Sequence, residues 1–239
     1  MTVRNLALAF LFVFGVSFHA DSFEVPRLTG PVIDEVGLLN ASTKAQLEKS
    51  LHQLRQDQRV QLQVYITKSL QDEPIENVAI QIFDNWKLGD EKTDKGLLFL
   101  IAPNEKRMRI EVGQGLEGDV PDVIAKRIIS DVVRPFFQRG EYSLGVVQGV
   151  ATLQHYIGND DPALKASVQE AQQASEKGKG GSWIIFIIIG IWILIFIFNP
   201  SLALYILFSA MSGGRGGGGG GGWSGGGGRS SGGGASGGW

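Results

Sequence analysis

The sequence predicts an α/β domain of three layers, α/β/α, built on a mixed sheet and followed by a transmembrane helix and a disordered glycine-rich tail. Three observations predict it. Helix-type and strand-type periodicities alternate between residues 43 and 157. Long apolar runs stand on either side of that stretch, at Leu6–Phe18 and Trp183–Phe198. All 24 carboxylates lie between them, from Asp21 to Glu176.

The elements follow in order. Leu47, Leu51 and Leu54 form one helical stripe, opened by Thr43-x-x-Gln46 as a possible capping box. Val60, Leu62, Val64 and Ile66 alternate with polar or amphipathic neighbours, which marks a half-buried strand. Ile75, Val78, Ala79, Ile82, Phe83 and Trp86 recur at helical offsets, and Gly89 follows as a stop. Gly96–Ala102 is continuously apolar, as a strand covered on both faces should be. A turn at 103–106 leads to a third strand with Met108, Ile110 and Val112 inward and Arg109 and Glu111 outward. Helices are expected from about Val120 to Val133 and from Ser143 to Ile157. A right-handed crossover makes strands 60–66 and 96–102 parallel, and the tight turn makes the third antiparallel.

The flanks suggest location. Residues 1–20 have the plan of a signal peptide: Arg4, then an apolar core of 13 residues, too short to span a bilayer. Cleavage is expected near Gly15-Val16-Ser17 or Ala20; retention as an uncleaved anchor is the alternative. The domain is expected over 24–158, a linker over 159–182 and a transmembrane segment over 183–208, interrupted by Asn199-Pro200. Residues 209–239 form the tail, in which 18 of the last 27 residues are glycine, a density at which burial does not offset backbone entropy. These features place the chain in the cytoplasmic (inner) membrane as a single-pass protein, its domain on the periplasmic side. A hairpin at 183–208 would instead keep the tail outside.

Composition excludes several chemistries. Cysteine is absent, so there is no disulfide, thiol nucleophile or thiolate metal site. Beyond the signal only His52 and His155 remain, too few for a histidine-rich zinc centre. Residues 21–182 carry 19 basic and 24 acidic groups, which gives no footprint for nucleic acid.

The residues suited to chemistry are carboxylates at expected loop positions: Asp34, Asp94, Glu117, Asp119 and Asp122. Oxygen ligands from several loops suit a hard cation, Ca²⁺ or Mg²⁺. Capping gives a second reading, with Asp119 as N-cap and Asp122 in the first helical turn. Asp94 has the alternative of bonding its own turn. Gly113, Gly115 and Gly118 match a dinucleotide fingerprint by letters only, because the preceding strand is antiparallel to its neighbour. Arg109 would meet an anionic substrate beside the carboxylate loop, or else lie on a solvated strand face.

These same residues carry a family resemblance. Pro26–Asp34 with Gly37-Leu38-Leu39, Trp86-x-x-Gly89, Asp94-x-Gly96-Leu97-Leu98 and Arg109-Ile110-Glu111-Val112-Gly113-x-Gly115-Leu116-Glu117-Gly118 resemble the TPM domain family, as do Pro135-x-Phe137 and Tyr142-x-x-Gly145. The resemblance covers about residues 24–158 and includes thylakoid-lumen photosystem II repair proteins. It implies an α/β/α sandwich. It also implies one of two functions: an accessory factor for a membrane protein complex, or a weak divalent-metal-dependent acid phosphatase with Arg109 at the phosphate.

Overall fold

The computed structural model describes residues 23–159, 161–166, 169–170 and 223–239. The expected signal peptide, most of the linker and the apolar run 183–208 lie outside them. Among the described residues, no helix is long and apolar enough to cross a membrane.

The sheet has five strands in the order β1-β2-β3-β4-β5. They are β1 (Val32–Asp34), β2 (Gln61–Ile66), β3 (Gly96–Ala102), β4 (Arg107–Gly113) and β5 (Ser230–Gly238). The first three are parallel; β4 runs antiparallel to β3, and β5 antiparallel to β4. The parallel pairing of β2 and β3 and the reversal at the 103–106 turn agree with the sequence reading. Both edge strands were missed. β1 is only three residues long, too short for a period-2 signal to stand out.

Helices cover both faces. Leu47, Leu51 and Leu54 of α1 (Ala41–Gln58) pack with Leu62, Val64, Leu97, Phe99 and Ile110. α5 (Tyr142–Tyr156) adds Val146, Val150 and Leu153 to that core. On the other face α2 (Ile75–Trp86) meets Tyr65, Leu98 and Leu100. β3 thus sends alternate side chains into two cores, which is why its sequence is apolar throughout.

Several local expectations are corrected. The cap of α1 is Asn40, not Thr43: the Asn40 side chain accepts the Thr43 amide at 2.8 Å. α3 (Asp122–Arg127) begins two residues later than expected, because Pro121 favours extended backbone at Val120. Asp119 is therefore not its cap, and Asp122 is in its first turn. The helical path continues through a π-helical segment, Ile128–Val133, into α4 (Arg134–Gln138). The widened turns precede Pro135, which has no amide to donate. α5 begins at Tyr142, one residue before the expected Ser143, whose hydroxyl donates to the Leu38 carbonyl at 3.4 Å. Leu164, in the expected linker, is 1% exposed and belongs to the core.

The largest departure is the tail. Residues 223–239 are ordered against the domain as β5 and its approach, where disorder was expected. The physical reason is that glycine is required there. A Cβ on Gly234 (φ +129°) would overlap the Ile110 carbonyl oxygen, and one on Gly225 would overlap that of Trp86. The entropy cost of ordering glycine is offset by the β4 ladder and by two tryptophans. Trp223 is 5% exposed and donates to Gln63 at 2.8 Å, with Arg55 stacked 4.8 Å from its ring centroid. Trp239 packs edge-on to Phe137 at 4.7 Å.

Candidate functional site

The loop before β3 and the loop after β4 meet at one end of the sheet. Asp94 has a left-handed backbone (φ +49°), and its carbonyl oxygen accepts the Gly115 amide at 3.2 Å. A Cβ on Gly115 would overlap the Thr93 carbonyl oxygen, and one on Gly113 that of Asp94. These glycines let two backbones touch. Gly118 has open space around its Cβ position.

Asp34 lies at the opposite end. It pairs in register with Ile66, which pairs with Ile101, whereas Asp94 precedes Gly96. That offset is roughly 17 Å of strand. One ion cannot join Asp34 to Asp94, so the expected carboxylates Asp34, Asp94, Glu117, Asp119 and Asp122 do not form one site. Asp34 instead accepts the amides of Val36 (3.2 Å), Leu38 (3.1 Å) and Leu39 (2.8 Å), closing the loop into α1. Asp34→Ala should cost about 2–3 kcal/mol in a denaturant melt, because half-buried amides lose a charged acceptor. A loss below about 0.5 kcal/mol would show that water replaces it.

Three other carboxylates at the Asp94 end share a partner, the tail. Asp94 accepts the Arg229 amide at 2.9 Å, Asp122 accepts the Gly234 amide at 2.7 Å, and Glu117 accepts the Ser231 hydroxyl. Asp119 is exposed on the turn before α3. Among the described residues, no three His, Cys, Asp or Glu side chains converge so as to hold a metal ion.

Arg109 and Glu111 were expected on a solvated face or beside a substrate. Both are buried, at 6% and 0% exposure, between β4, α2 and the tail. Arg109 donates Nε to Glu111 at 2.6 Å and Nη1 to the Ser236 hydroxyl at 3.0 Å, and Nη2 reaches the Gly232 carbonyl at 3.3 Å. Ser230 donates to the other Glu111 oxygen at 2.6 Å. Burial pushes the Glu111 carboxyl up, while the Ser230 hydrogen bond and the Arg109 charge oppose the shift. At the rim, Glu76 is held below its ordinary range: burial raises it, but the Ser236 hydrogen bond, Arg107 and Arg109 together outweigh that. Arg109 is thus neutralised within the fold and is not aimed at solvent.

Comparison with known proteins agrees with the motifs. The model of the TPM domain matches residues 32–156, just over half of the chain. This chain belongs to the TPM domain family. No curated protein matches it at a significant level. The N-terminal domain of a P. gingivalis protein, solved in solution, is 34% identical with a TM-score of 0.51, covering 54% of this chain and 82% of that one. The N-terminal domain of a Corynebacterium glutamicum protein is 14% identical with a TM-score of 0.39, covering 57% and 83%.

In this TPM domain an open groove of about 580 Å³ is lined by Glu117, Pro121, Asp122, Val123 and the tail residues Ser231–Gly233. The sequence reading missed Ser230, Ser231, Ser236 and both tail tryptophans as partners of the domain. One signal was available. Tryptophans at positions 223 and 239 bracket the final glycine-serine stretch, and aromatic residues there imply a surface to bury them.

Proposed function

We propose that this chain is a membrane-anchored, extracytoplasmic TPM-domain protein acting as an accessory factor in the assembly, maintenance or turnover of a membrane protein complex. The observation that carries the proposal is the use of the candidate residues. Asp34 closes a loop, Asp94 and Asp122 hold tail amides, and Arg109 is spent on Glu111. Groups engaged in this way build a surface, and Arg109 in particular is held by Glu111 and the tail instead of facing a substrate anion. The two apolar runs in the sequence support the inner membrane as the location, with the domain on the periplasmic side.

Complementation of a deletion strain tests the proposal. Cutting the chain before Ser182 would also remove β5, so the informative variant deletes only 183–208 and keeps 223–239. Full-length protein should rescue and the exported, unanchored variant should not, because a membrane partner needs high effective concentration. Equal rescue by both would overturn the accessory reading.

A second reading rests on the groove. Glu117 and Asp122 both line it, so Ca²⁺ or Mg²⁺ could engage this pair once the Ser231 and Gly234 contacts are given up. Two carboxylates alone do not fit a complete site, and no metal-dependent phosphatase step follows from them. The reading requires the melting temperature to rise at millimolar Ca²⁺ or Mg²⁺ and Glu117→Gln to abolish the rise; an unchanged melt removes it.

A further inference from the structure

We infer that the tail and the TPM domain share one side of the membrane, so that the run 183–208 enters and leaves through the same face instead of crossing once. The inference rests on the proposed seating of that run in the membrane.

The described residues hold both ends of the intervening chain on one domain. Before it, Leu164 is in the core, and Ser50 donates to Asp161 at 2.5 Å. After it, Trp223 is lodged against Gln63, His52 and Arg55. From there the tail pairs with β4 from Gly113↔Ser230 to Arg107↔Gly238. A single crossing would carry Trp223 to the far side of about 30 Å of hydrocarbon. β5 would then be lost, and the Arg109–Glu111 pair would forfeit Ser230, Ser236 and the Gly232 carbonyl.

The fit of tail to edge is specific. Gly234 and Gly237 lie where a side chain would strike Ile110 or Ile129, while Ser230 and Ser236 stand where Glu111 and Arg109 need a hydroxyl. A glycine-rich spacer lacks such a pattern of required and excluded side chains.

The sequence of the run agrees. Its continuous apolar part, 183–198, has 16 residues, about 24 Å of helix. That falls short of a full span, and Asn199-Pro200 follows with a turn signal and a lost amide donor. Basic residues flank the run on both sides, Lys177 and Lys179 before it and Arg215 after it, so charge gives no strong bias toward a crossing.

The chain has no cysteine, so single cysteines can report position without background. Asp57→Cys on the exposed face of α1 and Ser224→Cys at the exposed start of the tail are each introduced into the full chain. Spheroplasts then receive a membrane-impermeant maleimide. Both sites should label equally without permeabilisation, and the protein should resist carbonate extraction. Labelling of Ser224→Cys only after permeabilisation would overturn the inference while leaving the anchor intact. Release by carbonate would instead overturn the membrane seating, and the inference with it. Docking is read separately by trypsin cleavage after Arg229, which is exposed. Gly234→Val and, as a milder change, Trp239→Ala should each speed that cleavage roughly tenfold. Rates unchanged in both variants would overturn the docked tail.

Discussion

Arg109→Ala is expected to destabilise the domain by about 3–5 kcal/mol, because it strands a buried carboxylate. Glu111 is 0% exposed, and its Oε2 lies 2.5 Å from Arg109 Nη2. With the guanidinium removed, one Glu111 oxygen keeps the Ser230 hydroxyl and the other loses its charged partner. Denaturant melts at pH 7 should show a lower midpoint with an unchanged slope. The pH dependence follows from the direction of the Glu111 shift. A carboxyl raised on folding contributes stability below its unfolded pKa, near 4, and loses it as pH rises through the folded value. Removing Arg109 strengthens that shift, so the deficit should be smaller at acid pH than at neutral pH. Replacing both residues, as Arg109→Met with Glu111→Leu, should recover more than half of the loss. A single-variant loss below about 1 kcal/mol would mean that water reaches the pair.

Gly115→Ala should be nearly as damaging, for a reason unrelated to charge. Its new methyl group would overlap the Thr93 carbonyl oxygen, a backbone atom that cannot rotate away. The loop after β4 would have to lift from the loop before β3, breaking the bond from the Gly115 amide to the Asp94 carbonyl. Overpacking of this kind costs about 1–3 kcal/mol and sometimes more, and the lost hydrogen bond adds about 1 kcal/mol. Gly118→Ala is the control: its Cβ position is open, so the change should stay within about 0.5 kcal/mol. Equal effects at the two positions would show that close backbone approach is not what fixes Gly115.

The interior of the domain was legible because periodicity records burial. β3 read as a central strand, and α2 read from its stripe ending at Trp86. Element ends were less legible, since Asn40 outcompeted Thr43 as a cap and Pro121 moved the start of α3. The candidate site was legible only as a set of residue types. Asp94, Glu117 and Asp122 do share one end of the sheet, but the fold sends Asp34 to the other end. That separation depends on a three-residue strand with no pattern of its own. Arg109 misled for a different reason. On an edge strand the outward face would be wet, and what covers it is a segment more than 100 residues later in the chain. A composition rule treats glycine as an entropy cost alone, whereas here the absence of side chains is the shape being recognised.

The late position of β5 also sets the order in which the sheet can be completed. β4 leaves the ribosome more than 100 residues before its last partner, since Arg107 pairs with Gly238. Until β5 is made the sheet can have only four strands, with β4 at its open edge and the Arg109–Glu111 pair without its tail partners. Non-local pairings of this span close slowly. Any product interrupted before Ser230 stays in that state permanently, with an unpaired β4 edge of the kind that invites aggregation or proteolysis. Only a chain translated through Gly238 closes the sheet, so the presence of β5 is read out as the stability of the domain made first.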